Sequence, residues 1–224
     1  MTVKKQIALF DLDHTLIPFD SDHAWGEHTI SLGWRDPVDF KRRNNEFFEQ
    51  YRAGTLDLHQ YIRFATEAIR AQGATKSIAG HASFMQAVVQ NGIKPEALAL
   101  VQGHQQAGHE VVIVTATNEF VTRPIATAFG VSELIAVELA RDADGLITGE
   151  IHGTPSFREG KVTRVGDWLA ARQLDWDGVE TWFYSDSMND VPLLEKATHA
   201  IATNPDERLR ALATERGWRI LDLF

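Results

Sequence analysis

Gln6-Ile7-Ala8-Leu9-Phe10-Asp11-Leu12-Asp13-His14-Thr15-Leu16 is the stretch on which the fold turns. The apolar run Ile7 to Phe10 stops at a carboxylate, with a second carboxylate two residues on and then a hydroxyl. A short apolar run bounded by polar residues reads as a buried strand. Ligands of open α/β sheets bind beyond the carboxyl ends of such strands, which puts the chemistry at Asp11 and Asp13. Residues i and i+2 of an extended segment point the same way, so the two side chains can share a site while doing different work. Asp also ends strands as plain turn chemistry, so partners elsewhere in the chain must decide.

The 224 residues fit one large domain or a core with a modest insertion. A hydrophobic share of 44% can bury a sizeable core. The formal net charge of −9 argues against a nucleic-acid partner, which needs a basic face. An anionic substrate must then be received locally, by a cation or a metal, against an unfavourable overall field. With no cysteine there is no disulfide, thiol nucleophile or zinc–thiolate site. No long apolar stretch follows the first lysines, so neither a signal peptide nor a membrane span is expected. The expected location is cytoplasmic.

Outward from the first strand, residues 17–90 read as helices: 21–32 stopped by Gly33, a helix opened by Pro37 and ended by Gly54, one capped by Asp57 whose Leu58, Ile62, Ala65 and Ile69 mark one apolar face, and 75–90. Pro95 opens a helix ending near Gly108. Strands at 111–114, 134–139, 181–185, 199–202 and 219–223 then alternate with helices at 118–129, 161–172 and 189–196, and Asp144-Gly145 reads as a hairpin turn. Alternation from 108 onward predicts an α/β fold, a parallel Rossmann-like sheet with helices on both faces. The helical run is expected to be a separate insertion, giving a core of 1–16 and 91–224 and a helical cap of 17–90.

Read together, the strand ends hold Asp11-Leu12-Asp13-His14-Thr15, Val114-Thr115-Ala116-Thr117-Asn118 and Ser185-Asp186-Ser187-Met188-Asn189-Asp190, with Gly160-Lys161 at a helix start. A parallel sheet converges them on one edge. Carboxylates, a hydroxyl with amide donors and a lysine suit phosphoryl transfer through a covalent aspartyl phosphate. A hard divalent cation relieves the repulsion between carboxylate and phosphate. Lysine and hydroxyl bind phosphate oxygens, and a second carboxylic acid protonates the leaving alkoxide.

The order Asp11-x-Asp13-x-Thr15, Val114-Thr115, Lys161, Ser185-Asp186-x-x-Asn189-Asp190 resembles the haloacid dehalogenase superfamily. The helical insertion after the first motif resembles its phosphoserine phosphatase-like branch, and Asp20-Ser21-Asp22-x-x-Trp25 resembles that branch's uncharacterised or histidinol-phosphatase members. The resemblance implies a magnesium-dependent phosphomonoester hydrolase. Asp11 is then nucleophile and magnesium ligand. Asp13 is general acid and base, its carbonyl a further ligand. Thr115, Ala116, Lys161 and Asn189 hold the phosphate, Asp186 binds the metal, and Asp190 orients Lys161 or acts through water.

Three departures bear on the substrate. Phosphoserine phosphatases carry a glycine pair where this chain has Ala116 and Thr117, an early cap glutamate where Asp20 stands, and a cap arginine where Ala65 aligns, with Arg63 nearby. Asp20, Asp22, Trp25 and Arg63 are the expected substrate contacts of the cap. Carboxylates with an indole favour an amine-bearing alcohol phosphate such as histidinol phosphate, with phosphoserine the alternative. Alternatives of another class are a receiver-like signalling domain and a non-catalytic phosphate-binding module. The former carries its phosphorylated aspartate on a later strand and lacks the long insertion; the latter usually lacks the nucleophile or the acid. A small phosphate ester is the expected partner, and oligomeric state is not readable.

Overall fold

The computed structural model describes residues 4–224, apart from the side chain of Arg52. Residues 1–3, counted with the core above, lie outside the described residues. Strand β1 (Lys5–Phe10) lies inside a six-stranded parallel sheet of order β3-β2-β1-β6-β7-β8, with β2 (Glu110–Asn118), β3 (Glu133–Val137), β6 (Val179–Ser185), β7 (His199–Thr203) and β8 (Arg219–Leu221). A two-stranded antiparallel hairpin, β4 (Leu139–Arg141) and β5 (Ile147–Ile151), stands apart from it. The chain fills one side of β1 with β2 and β3, then crosses to fill the other. β1 is therefore where strand order reverses, the place where such sheets bind ligands.

Alternation along β1 sends Ala8 and Phe10 to one face and Ile7 and Leu9 to the other, all fully buried. The first face is covered by α1 (Ser21–Ser31), α4 (Glu67–Phe84), α6 (Pro95–Gln106) and α7 (Glu119–Ala128), through Trp25, Phe84, Val101 and Val121. The second is covered by α8 (Glu159–Ala170), α9 (Val191–Lys196) and α10 (Glu207–Arg216), through Leu169, Leu194 and Leu209. Between β1 and α6 come α1, α2 (Pro37–Ala53), α3 (Leu58–Ala65), α4, a π-helical turn (Met85–Val89) and the single turn α5 (Gln90–Gly92). Side-chain caps start the first three: Asp20 on His23, Asp36 on Asp39, Asp57 on Gln60. Among the described residues no helix is long and apolar enough to cross a membrane.

Several elements differ from the sequence reading. β2 runs past Val114 to Asn118, because Thr115 and Thr117 favour extended backbone and a register shift lets Asn118 still pair with Val137. The apolar face of α3 does not extend to Ile69. The Thr66 hydroxyl bonds back to the Ile62 carbonyl and Arg35 takes the Phe64 and Ala65 carbonyls, so the helix ends. Gly73, at φ 76°, breaks α4 internally. Expected strand 134–139 divides, its last residue turning into the β4–β5 hairpin closed by Gly145 on Asp142.

Candidate active site

Asp11 continues β1, its amide donating to the Tyr184 carbonyl at 2.9 Å, so its side chain leaves the end of the sheet in a fixed direction. Its Oδ1 accepts from Lys161 Nζ at 2.7 Å. Lys161, on the first turn of α8 and 1% exposed, gives a second bond to Asp190 Oδ2, also at 2.7 Å. Asp190 Oδ2 accepts in addition from Ser185 at 2.7 Å. Burial pulls the Lys161 ammonium down, but Asp11 and Asp190 outweigh it and hold the pKa above the usual lysine value. Burial pushes Asp190 up to about 6, Lys161 opposing and Asp11 adding repulsion.

Thr15 ties the first motif to the last. Its hydroxyl lies 3.3 Å from Asp11 Oδ2 and 3.1 Å from Asp186 Oδ1, sharing one proton between them, and accepts from the Asp186 amide at 3.0 Å. Burial raises Asp186 well above the carboxylate range, with Asp11 and then Asp190 adding to it. Asp13 accepts from the Ser21 amide at 2.9 Å and the Thr117 hydroxyl at 2.8 Å. Burial pushes it up to about 8, and repulsion from Asp20 and Asp11 outweighs the Ser21 bonds. Thr115 is buried, its hydroxyl accepting from the Thr117 amide and its carbonyl from Ser156. Ala116 lies between them on β2. Asn189 Oδ1 accepts from Arg158 Nε at 3.1 Å.

Asp11, Thr15, Lys161, Asp186 and Asp190 thus form one connected network, and Asp13 joins it to β2 through Thr117 and to α1 through Ser21. Thr15, Thr117, Ser21, Ser185 and Arg158 were not singled out as site residues from sequence. The signal for Thr117 was present: Thr115-x-Thr117 has the same i, i+2 spacing as Asp11-x-Asp13, which follows the end of the neighbouring strand.

The insertion residues fare differently. Asp20 caps α1, accepting from His23, and its charge bears on both Asp13 and Asp22. Asp22 is 6% exposed; Oδ1 accepts from Asn118 at 3.2 Å, and among the described residues Oδ2 has no hydrogen-bond partner. Burial and then Asp20 push Asp22 up to about 6 against the Tyr61 hydroxyl, Arg35 and Asn118. Trp25 requires a correction. It is 1% exposed, with ring centroids of His81, Phe84 and Phe120 at 5.4, 5.6 and 5.8 Å, so it packs the core rather than facing a leaving group. Arg63 also requires one. It forms a two-pronged, half-exposed pair with Glu150 of β5, Nε to Oε1 2.7 Å and Nη2 to Oε2 3.0 Å, and braces α3 on the hairpin.

The sequence profile of the haloacid dehalogenase-like hydrolases matches residues 8–195. A protein named histidinol-phosphatase from Neisseria meningitidis is 39% identical over 97% of this chain and 99% of its own length. A phosphoserine phosphatase from Mycobacterium tuberculosis is 30% identical over 96% of this chain and 70% of its own. A Bordetella pertussis crystal structure of unknown function superposes with a TM-score of 0.93 at 46% identity, covering 99% of this chain and all of that one. A substrate-bound phosphoserine phosphatase shares the fold, with a TM-score of 0.68 at 17% identity over 99% of this chain and 94% of that one. With the four motifs joined at one sheet edge and these relatives along its length, the chain belongs to the haloacid dehalogenase-like hydrolase family, as a phosphatase.

Proposed function

We propose that the chain is a magnesium-dependent phosphomonoesterase that works through an aspartyl phosphate on Asp11, and that its substrate is a small amino-alcohol phosphate such as histidinol phosphate. The observation that carries this reading is the buried bridge Asp11–Lys161–Asp190. It holds one carboxylate oxygen of Asp11 still at the sheet edge and keeps a cation beside it. The donor set fits a hard divalent ion: Asp11, Asp186 and the Asp13 carbonyl offer oxygens only, and burial, with the charges of Asp11 and Asp190 adding to it, raises Asp186. Bound there, magnesium supplies the positive charge that lets a carboxylate approach a phosphate dianion.

Asp11 attacks phosphorus and the bond from phosphorus to the leaving oxygen breaks, that oxygen taking the proton of Asp13. The Asp13 carboxylate next removes a proton from water, whose oxygen attacks phosphorus and releases Asp11. Thr115 and the Ala116 amide donate to the phosphate, Lys161 neutralises it with Asp190 holding the lysine in line, and Asn189 faces the transferred group. Residues 17–90 act as the cap over a core of 1–16 and 91–224, bringing Asp20 and Asp22 to the leaving group. An ammonium suits two carboxylates to which, among the described residues, no cation is bonded, Arg35 acting on Asp22 only through space. The relative named histidinol-phosphatase supports this choice. Phosphoserine is disfavoured because Arg63, the arginine nearest the aligned position, is spent on Glu150. The acidic balance fits a small-molecule partner in the cytoplasm rather than nucleic acid.

Kinetics with histidinol phosphate, phosphoethanolamine and phosphoserine test the reading. The amine-bearing esters without a carboxylate should lead in kcat/KM, and Asp20→Asn should narrow that lead while the magnesium requirement stays. Two displacements at phosphorus should give net retention. Full activity in excess chelator, or net inversion, overturns the mechanism; a lead for phosphoserine overturns the substrate.

A further inference from the structure

We propose that Arg158 is a second binding cation of this site, receiving the phosphate dianion of the entering substrate. The inference rests on the phosphatase reading above and adds to it a residue outside the four motifs. Phe157-Arg158-Glu159-Gly160 is a tight turn closed by the Gly160 amide on the Phe157 carbonyl at 2.9 Å. Arg158 takes φ 53°, ψ −124° at its first central position. That is the type II′ geometry, which glycine adopts freely and an L side chain does not. The turn does contain a glycine, but at Gly160, where a Cβ would lie 2.0 Å from the Pro155 carbonyl. An arginine is therefore held in a strained conformation where a glycine would cost nothing, and such strain concentrates at functional sites.

The guanidinium is where a function would need it. Nε donates to Asn189, the neighbour of Asp190, and the plane lies 4.9 Å from the centre of the Phe157 ring. Nη2 reaches the end of α2, 3.2 Å from where a Cβ on Gly54 would stand. A cation there also complements the C-terminal end of that helix. On the same side, the Tyr51 hydroxyl of α2 meets Ser187 at 3.2 Å. Among the described residues, neither η nitrogen has an acceptor, whereas Lys161 is engaged by two carboxylates. In a chain of net charge −9 with four aspartates at the sheet edge, a dianion needs a cation not already neutralised.

The test compares wild type with Arg158→Gln, Arg158→Lys and Arg158→Gly. It uses phosphoethanolamine and phosphoserine as substrates, inorganic phosphate as inhibitor and calorimetric ligand, and thermal unfolding. Arg158→Gln should raise KM about 10-fold or more for both esters, weaken phosphate binding by a similar factor, and leave kcat within about threefold. Arg158→Lys should recover part of the loss. Arg158→Gly should carry the same KM penalty with an unchanged or higher melting temperature, because glycine relieves the turn. Unchanged phosphate affinity in Arg158→Gln, a penalty confined to the carboxylate-bearing phosphoserine, or a loss of stability in Arg158→Gly each overturns the assignment. A wild type that hydrolyses no ester overturns the phosphatase reading instead, and phosphate calorimetry on the same variants still decides Arg158.

Discussion

Two groups of carboxylates meet at Asp13, and among the described residues only one has a cation bonded into it. Toward the sheet, Asp11 and Asp190 share Lys161, with Asp186 joined to them through Thr15. Toward the insertion, Asp20 accepts a cap bond and Asp22 the Asn118 amide, with the Tyr61 hydroxyl and Arg35 lowering Asp22, but no ammonium or guanidinium is bonded to either among the described residues. Buried like charges without a partner are costly. In the first group the protein bonds the counter-charge in directly; in the second Arg35 acts on Asp22 only through space and leaves its pKa raised, and on the proposed reading the substrate's amine completes the compensation. On that reading the difference separates parts that do chemistry on any phosphate ester from parts that choose among esters.

The comparison breaks most visibly at Asp11. Asp11→Asn should reduce turnover of every ester by on the order of 10³-fold or more, since an amide is a poor nucleophile. Single-turnover rates with two esters of different leaving group check it: a loss for one ester alone would place Asp11 among the selective parts. Next in size is Lys161→Met, which leaves Asp11 and Asp190 buried without their cation. A destabilisation of about 3–5 kcal/mol is expected, because removing one partner of a buried pair strands the other. Urea unfolding measures it, and a cost below about 1 kcal/mol would mean that the two groups do not differ in the way described.

The sheet-edge group was readable because its residues follow from backbone rules. An apolar run that ends at Asp11, and another that ends before Asp186, can only deliver those side chains to the same edge of a parallel sheet. Helical spacing carries no such information about orientation: Asp22 and Trp25 share one face of α1, and nothing local says whether that face meets a cleft or the core. Packing against Phe84 and Phe120 decided it. Arg63 was misplaced for the same reason, since its partner Glu150 lies on a hairpin far along the chain. Thr117 escaped notice because β2 was read as ending before it. Arg158 escaped because the turn it occupies usually announces itself by a glycine at that position.

The uncompensated group can be tested without any substrate. Asp22 sits at about 6 when folded, above the ordinary 3.8. Between those values the folded state holds a proton that the unfolded chain has released, so this group's contribution falls as pH rises and is fully lost above about 6. Asp22→Asn removes that cost. The variant should match wild type near pH 4 and exceed it at pH 8 by on the order of 2–3 kcal/mol in urea unfolding. Equal stability at both pH values would show that Asp22 is already compensated, and that the position is not waiting for an amine.

The smallest expected effect calibrates that pH experiment, because it runs in the opposite direction and lies outside both groups. His104 Nε2 contacts the Tyr184 hydroxyl at 2.8 Å and Nδ1 contacts His109 Nδ1 at 2.8 Å. Burial, and then the charge of His109, push His104 down to about 4 from the ordinary 6.5. Between those values the unfolded chain binds the proton that the folded state refuses, so stability rises with pH from 4 to 6.5 and is level above it. The ring is only half-buried, and solvent screening reduces the effect to on the order of 1 kcal/mol. His104→Gln should flatten that rise and leave the difference between Asp22→Asn and wild type intact when the two changes are combined, since the sites share no partner. If the combined variant loses the Asp22→Asn gain at pH 8, the two titrations are coupled and the pH profile does not isolate the insertion carboxylates.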